Sequence, residues 1–249
     1  PNKADLATAN LQDSVSALSS DVAATFAILD GPGEIDSVTN STQTVSDNLQ
    51  QSYATANRAT NSVDLTATNT DADTALESVQ LSRATVSTTS DLDVVANAGG
   101  TTSSLAMEGN VNQSVANGNV ATNATTVDVT NATATGTVDA SILSSIAEAN
   151  NALLSKQSVS ADVTASATTD VYNQDITRTA GNDIISSDVS LSSNSTIAQA
   201  TGNNGTQTLT LGDAGTANMD RTGVLMNNQA VTSAATVSST VNQDVAVTL

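Results

Sequence analysis

Cysteine, histidine and tryptophan are absent from this chain, and the aromatic residues are Phe26, Tyr53 and Tyr172 alone. Lack of cysteine removes disulfides as staples and leaves the redox compartment open. Lack of both cysteine and histidine excludes a Ser-His-Asp triad, a thiol nucleophile, and zinc or haem sites of the common kinds. The shortage of large rings leaves Val, Ala, Ile and Leu, helped by Ser and Thr, to fill any interior. That suits a thin core between close sheets better than a thick globular one. Proline occurs only at Pro1 and Pro32. So few prolines, with patterned apolar residues, argue against a disordered chain despite the wealth of Ser, Thr and Asn.

Positive charge is scarce as well. Six Lys and Arg stand against 25 Asp and Glu, a net charge of −19. A nucleic-acid partner needs basic residues to displace counterions, and a polybasic membrane patch needs them too, so neither is expected. Charged residues total only 12%, so the surface is uncharged and polar with an acidic bias. No run of apolar residues is long enough for a membrane-spanning helix. No Gly-rich phosphate loop with lysine occurs. The opening Pro1-Asn2-Lys3, with no Met, fits the expectation of a processed or trimmed chain.

What the chain does have is alternation. From Asn227 to Leu249 every second residue forms one series, in which Val231, Val237, Val241, Val245, Val247 and Leu249 carry the apolar load. The residues between are small, hydroxylated or amide-bearing. A period of two marks a strand, since successive side chains point to opposite faces. Laid straight, the run would measure roughly 75 Å, several times a usual strand. It must therefore turn corners or belong to a solenoid or fibre. The same alternation covers Gln43–Ala67, resumes in the other phase over Gln80–Ala96 after a slip near Asp71-Ala72-Asp73, and returns over Gln157–Val171 and Gln207–Leu211. Asn117-Gly118 reads as a turn of the kind that closes hairpins, and Asn123, Asn131 and Gly136 as corners.

Two stretches depart from it. Leu11, Val15, Leu18, Val22, Phe26 and Leu29 fall three or four apart, which predicts a helix within 4–29, ended by Gly31-Pro32-Gly33. Ile142, Ile146, Ala149 and Leu153 predict a second short helix within 140–155. The expected architecture is all-β, a β-solenoid with these two helical segments. Residues 1–33 form an N-terminal cap or helical segment, and 34–249 the repeat region.

A degenerate repeat marks the strand starts: Gln43-Thr44-Val45, Gln113-Ser114-Val115, Gln157-Ser158-Val159, Gln229-Ala230-Val231 and Gln243-Asp244-Val245, with looser relatives at Gln12 and Gln80. Amides at one place in successive turns can form a ladder. These Gln-x-Val starts, with the stretches Asn110–Asn131 and Asn227–Leu249, resemble secreted bacterial β-solenoid surface proteins: curli-type fibre subunits, holdfast anchors and adhesins. The regular short repeats and fixed corner glycines of curli are missing. The resemblance implies an extracellular or cell-surface structural role, as a self-assembling subunit of a filament or adhesive anchor. The alternative is a glycan-binding β-helical module of a phage tail-spike or adhesin. The expected partners are copies of the same chain, with a cell-surface glycan or outer-membrane component as a further possibility.

Candidates for chemistry weigh little. Asp71/Asp73 and Asp91/Asp93 pair two apart on one strand face, the spacing for a calcium site or a hydrolase, but a solvated strand edge or turn is the expected reading. Gly181-Asn182-Asp183-Ile184-Ile185 is half of a calcium-binding nonapeptide, and one copy cannot hold an ion. A threonine grid such as Thr133-Ala134-Thr135 suggests ice binding only if its spacing were regular. Sequons at Asn40, Asn112, Asn123, Asn131, Asn194 and Asn204 are surface sites if the source glycosylates. No catalytic, cofactor-binding or metal-binding residue is assigned, and an enzyme is not expected.

Overall fold

The structure is a computed structural model, and it describes residues 6–29, 38–40, 42–68, 73–97, 100–101, 104–130, 138–142, 145–149, 151–173, 188–212 and 223–247. Its strands are β1 (Leu6–Ser14), β2 (Leu18–Leu29), β3 (Val38–Thr39), β4 (Thr42–Ser46), β5 (Leu49–Thr68), β6 (Thr74–Ser82), β7 (Val86–Asn97), β8 (Gly100–Thr101), β9 (Ser104–Glu108), β10 (Val111–Thr130), β11 (Val138–Ile142), β12 (Ser145–Ala149), β13 (Asn151–Val159), β14 (Val163–Asn173), β15 (Asp188–Ser190), β16 (Ser195–Gly212), β17 (Gly223–Val231) and β18 (Val237–Val247). Among the described residues there is no helix, and so none long and apolar enough to cross a membrane.

All the sheets but one are parallel, and each is built from strands far apart in sequence. β1, β6, β13 and β17 stack in that order, as do β2, β7, β14 and β18, and β5, β10 and β16. Leu6 lies beside Thr74, Thr74 beside Asn151, and Asn151 beside Gly223, so one circuit of the chain takes 68, 77 and then 72 residues. This is a β-solenoid with an unusually wide coil. One wall of the coil is a short strand, a corner and a second short strand; the facing wall is one long strand of 18 or 20 residues. Each long strand packs against two successive short-strand layers: β5 against β1–β2 and β6–β7, β10 against β6–β7 and β13–β14, β16 against β13–β14 and β17–β18.

Both predicted helices are corrected. Leu11, Val15 and Leu18 keep their three-and-four spacing only in sequence: Leu6–Ser14 and Leu18–Leu29 are β1 and β2, separated by a corner at 15–17. The sheet edge offered by β6 and β7 pairs the whole length of both, and that pairing outweighs a helical stripe carried by six side chains. Val138–Ile142 and Ser145–Ala149 pair antiparallel as β11 and β12, and Leu153 falls in β13. This pair lies against the outer side of β6 and β13. There Ala75, Val79, Ala152 and Leu154 form a second, smaller core, which explains why β13 is apolar on both faces. The long alternating run at the end does bend. Its corner is Thr232–Thr236, between β17 and β18.

The interior is thin and half polar. Val86, Val159, Val163, Ala54, Ala116 and Ala165 cluster at the corner between the two short strands, and Leu92, Val94, Leu105, Met107 and Val171 at one end of the coil. Between them sit buried amides and hydroxyls. Asn117-Gly118 is no hairpin turn, and Asn123 is no corner: both lie inside β10. Buried positions in β10 run Asn112, Ser114, Ala116 and then change parity to Asn119, Ala121, Asn123. The change falls opposite the 160–162 corner, where Val159 and Val163 reach in. A Cβ at Gly118 would stand 2.5 Å from the Gly202 carbonyl oxygen and 2.7 Å from Val159 Cγ2. Gly118→Ala is therefore expected to destabilise the chain by about 1–3 kcal/mol, read from a denaturant midpoint, although the residue is already in a strand.

Candidate assembly surfaces

Side-chain amides run through the solenoid from coil to coil. In the short-strand wall, Gln80 Nε2 donates to Gln12 Oε1 at 2.7 Å, Gln157 Nε2 to Gln80 Oε1 at 2.8 Å, and Gln229 Nε2 to Gln157 Oε1 at 2.7 Å. Gln80 and Gln157 spend their other N–H on the long strand facing them, on the Val120 and Asn204 carbonyls, and Gln12, which only accepts in the ladder, donates to the Arg58 carbonyl. A strand carbonyl already engaged in the ladder has a second lone pair for this.

The long-strand wall carries three more rows. Asn48 Nδ2 donates to Asn110 Oδ1 and Asn110 Nδ2 to Asn194 Oδ1. Asn57 Nδ2 donates to Asn119 Oδ1 and Asn119 Nδ2 to Asn203 Oδ1. Asn61 Nδ2 donates to Asn123 Oδ1 and Asn123 Nδ2 to Gln207 Oε1. The first row follows a corner residue of positive φ in every coil: Asp47 at 57°, Gly109 at 68°, Ser193 at 58°. That left-handed step turns the chain sharply into the long strand.

Of the Gln-x-Val glutamines, Gln157 and Gln229 join the inner ladder with Gln12 and Gln80. Gln113 stacks with Gln51 on the outer face. Gln43 lies beside Leu105 and joins no ladder, and Gln243 donates to the Asn194 carbonyl. The more regular signature escaped the sequence reading. Asn48, Asn57 and Asn61, then Asn110, Asn119 and Asn123, then Asn194, Asn203 and Gln207 repeat one spacing in three long strands. Two of these asparagines, with Asn112, overlap the sequons. Asn112 and Asn123 are fully buried and their amides are hydrogen-bonded, so they are not glycan acceptors in the folded chain, which corrects the expectation of surface sites. Asn40 and Asn204 are exposed. Asn131, Gly136, Asp71, residues 133–135 and the calcium-type segment 181–185 lie outside the described residues.

Asp91 and Asp93 do share the outer face of β7, and coil stacking adds neighbours. Asp93, Asp170 and Asp244 lie side by side in register. Partial burial, then Asp93, Asp244 and Asp91 in turn, raise the Asp170 carboxyl above its ordinary value of 3.8. A carboxyl raised on folding stabilises the fold below its unfolded pKa, and that contribution is lost as pH rises through the folded value. Asp170→Asn is expected to raise Tm by about 1–4 °C at pH 7 and to leave it unchanged near pH 3, as scanning calorimetry would show. Among the described residues no group of three or more His, Cys, Asp or Glu is arranged to hold a metal.

The two ends of the column expose strand edges. Beyond β17–β18 no described strand covers the inner face. Leu225, Val231, Val237, Val241 and Val245 are 46%, 47%, 37%, 48% and 46% exposed, whereas their register mates Leu153, Val159, Val163, Ala167 and Val171 are at 0%. On β16 the buried Gln207 Nε2 has no acceptor. At the other end, β1–β2 are covered on one side by β5, and no described strand pairs with the outer edge of β5. A flat, unprotected parallel edge is a template for further strands.

Comparison with protein families, with curated protein sequences and with solved structures finds no match.

Proposed function

We propose that this chain is a structural protein, a self-assembling subunit of an extracellular surface filament or adhesive anchor. The observation that carries the reading is the half-covered inner face of β17–β18: β16 packs on one side of it, and five apolar side chains stay about half exposed where their register mates in the preceding coil are fully buried. At about 25 cal/mol per Å² of apolar surface, half-exposed valines and a leucine in one row leave several kcal/mol of burial unrealised. Heterologous contacts between unlike ends propagate without closing, which makes filaments. The extracellular location rests on the resemblance to curli-type and holdfast-anchor proteins alone.

Purified chain viewed by negative stain at rising concentration is expected to form unbranched columns one solenoid wide. Val241→Lys, on an already exposed position, is expected to abolish them without lowering the folded signal in circular dichroism. A monodisperse monomer at every concentration contradicts the reading.

One observation favours the glycan-binding alternative. On the outer face of β5 and β10 the half-exposed Tyr53 ring lies beside Gln51, Gln113 and Gln199, and its hydroxyl accepts from Arg58 and Asn117. A ring flanked by amides is what a sugar face requires. Saturable binding on a glycan array, lost in Tyr53→Ala, supports that alternative.

A further inference from the structure

The assembly reading leaves open how one copy docks on another, and the layer count makes simple stacking unsatisfactory. Among the described residues four short-strand layers enclose three long strands, so both ends finish on a short-strand layer. Placing β1–β2 of a second copy directly on β17–β18 would bring two short-strand layers together with no long strand between. Everything left unmatched at the β17–β18 end asks for a long strand. In the three lower layers the ladder glutamine itself donates to a long-strand carbonyl; Gln229 donates to Gln157 and, among the described residues, meets none. The asparagine rows all run toward β16, where Gln207 Nε2 is buried without an acceptor and Asn203 donates only to the Ala230 carbonyl.

We propose that the slot is filled by β5 of a second copy, whose own β1–β2 is displaced by the β17–β18 of the first. The proposal rests on the assembly reading above. Its acceptors match in register. Asn57 and Asn61 of the incoming strand stand where Asn203 and Gln207 need oxygen atoms, because Asn119 and Asn123 lie in register with both pairs. β17 carries the side chains with which β1 holds β5. Asn10 donates to Asn61 Oδ1 and Gln12 to the Arg58 carbonyl. Asn227 and Gln229 occupy the equivalent positions, whereas the two inner layers have Ser78 and Ser155 in place of that asparagine. Asn-x-Gln thus belongs only to the first and last layers. On exchange, β17 and β18 pair with β6 and β7 of the second copy as β1 and β2 did, so those ladders are kept, and the β16–β5 pairing is gained.

Disulfide trapping distinguishes the arrangements, since the chain has no cysteine of its own. In the exchanged joint Thr206 lies beside Thr60 of the second copy, both being register mates of Thr122. In whole-copy stacking Asn228 lies beside Leu11 instead. A mixture of Thr60→Cys and Thr206→Cys chains is expected to form covalent dimers about tenfold faster than either chain alone. Rapid dimers from Asn228→Cys with Leu11→Cys, and none from the first pair, overturn the exchange while the assembly reading stands. No dimers from either mixture overturn both. As a second measurement, Ala23→Cys with Asp91→Cys ties β2 to β7 on their outer face, where the two residues are in register. The oxidised chain is expected not to assemble and to recover on reduction; undiminished assembly of the oxidised chain overturns the proposal.

Discussion

Gln157→Leu is expected to cost about 2–6 kcal/mol, and to lower Tm by roughly 10 °C, because each buried polar group left without a partner costs about 1–3 kcal/mol. The residue is fully buried in the middle of the glutamine ladder. Removing its amide strands Gln80 Oε1, which accepts from it, and the Asn204 carbonyl loses the donor facing it. Leucine keeps the volume, so the effect reads the hydrogen bonds and not a cavity. The control lies on the outer face. Gln51 and Gln113 form the same kind of amide pair at 2.7 Å, but in solvent. Gln51→Leu is expected to change stability by less than about 0.5 kcal/mol, since water replaces what is lost. Equal losses from the two substitutions would mean that the ladder's interior placement contributes nothing.

A second large effect separates the layers of the column. Leu153 is fully buried against Val63 and Leu76, and Leu153→Ala is expected to cost about 2–5 kcal/mol in a urea titration. Leu225 is its register mate one layer further on and is nearly half exposed. Leu225→Ala is expected to cost under about 1.5 kcal/mol in the monomer, because half of its surface is already in water. In the assembled state the two costs should converge as the slot over β17–β18 fills. Equal costs in the monomer would contradict the open inner face.

How much of this was legible in the residues depends on which physical force placed them. The alternation over 43–67 and 157–171 identified the strands because one face of each is buried, and burial writes a period of two. The laddering of Gln157 and Gln229 was readable too, since stacked coils put like amides side by side. The helix expected over 4–29 failed because Leu11 and Val15, both 70% exposed, face solvent and record no burial at all. Their spacing carried no information on packing. Leu153 misled for the opposite reason. β13 is buried on both faces, one by β10 and β16 and the other by the β11–β12 pair, so its apolar run lacks alternation. Asn117-Gly118 has the composition of a turn, yet the glycine is there to admit Val159 and Val163. The repeat of Asn48, Asn57 and Asn61 in two further coils was present in the sequence throughout. It went unread because the circuits between its copies differ by 22 residues, 62 and then 84, and no fixed period exposes it.

The central claim is that strands 62 to 84 residues apart lie side by side, parallel and in register, so that amides and valines stack coil upon coil. Nitroxide labels on outward-facing Thr122 and Thr206 test it most directly in the monomer. The account predicts strong dipolar broadening for that pair, since neighbouring strands lie about 4.8 Å apart, and much weaker broadening for Thr122 with Thr210, four residues out of register. Sharp, uncoupled lines from Thr122 and Thr206, or stronger coupling in the out-of-register pair, would contradict it.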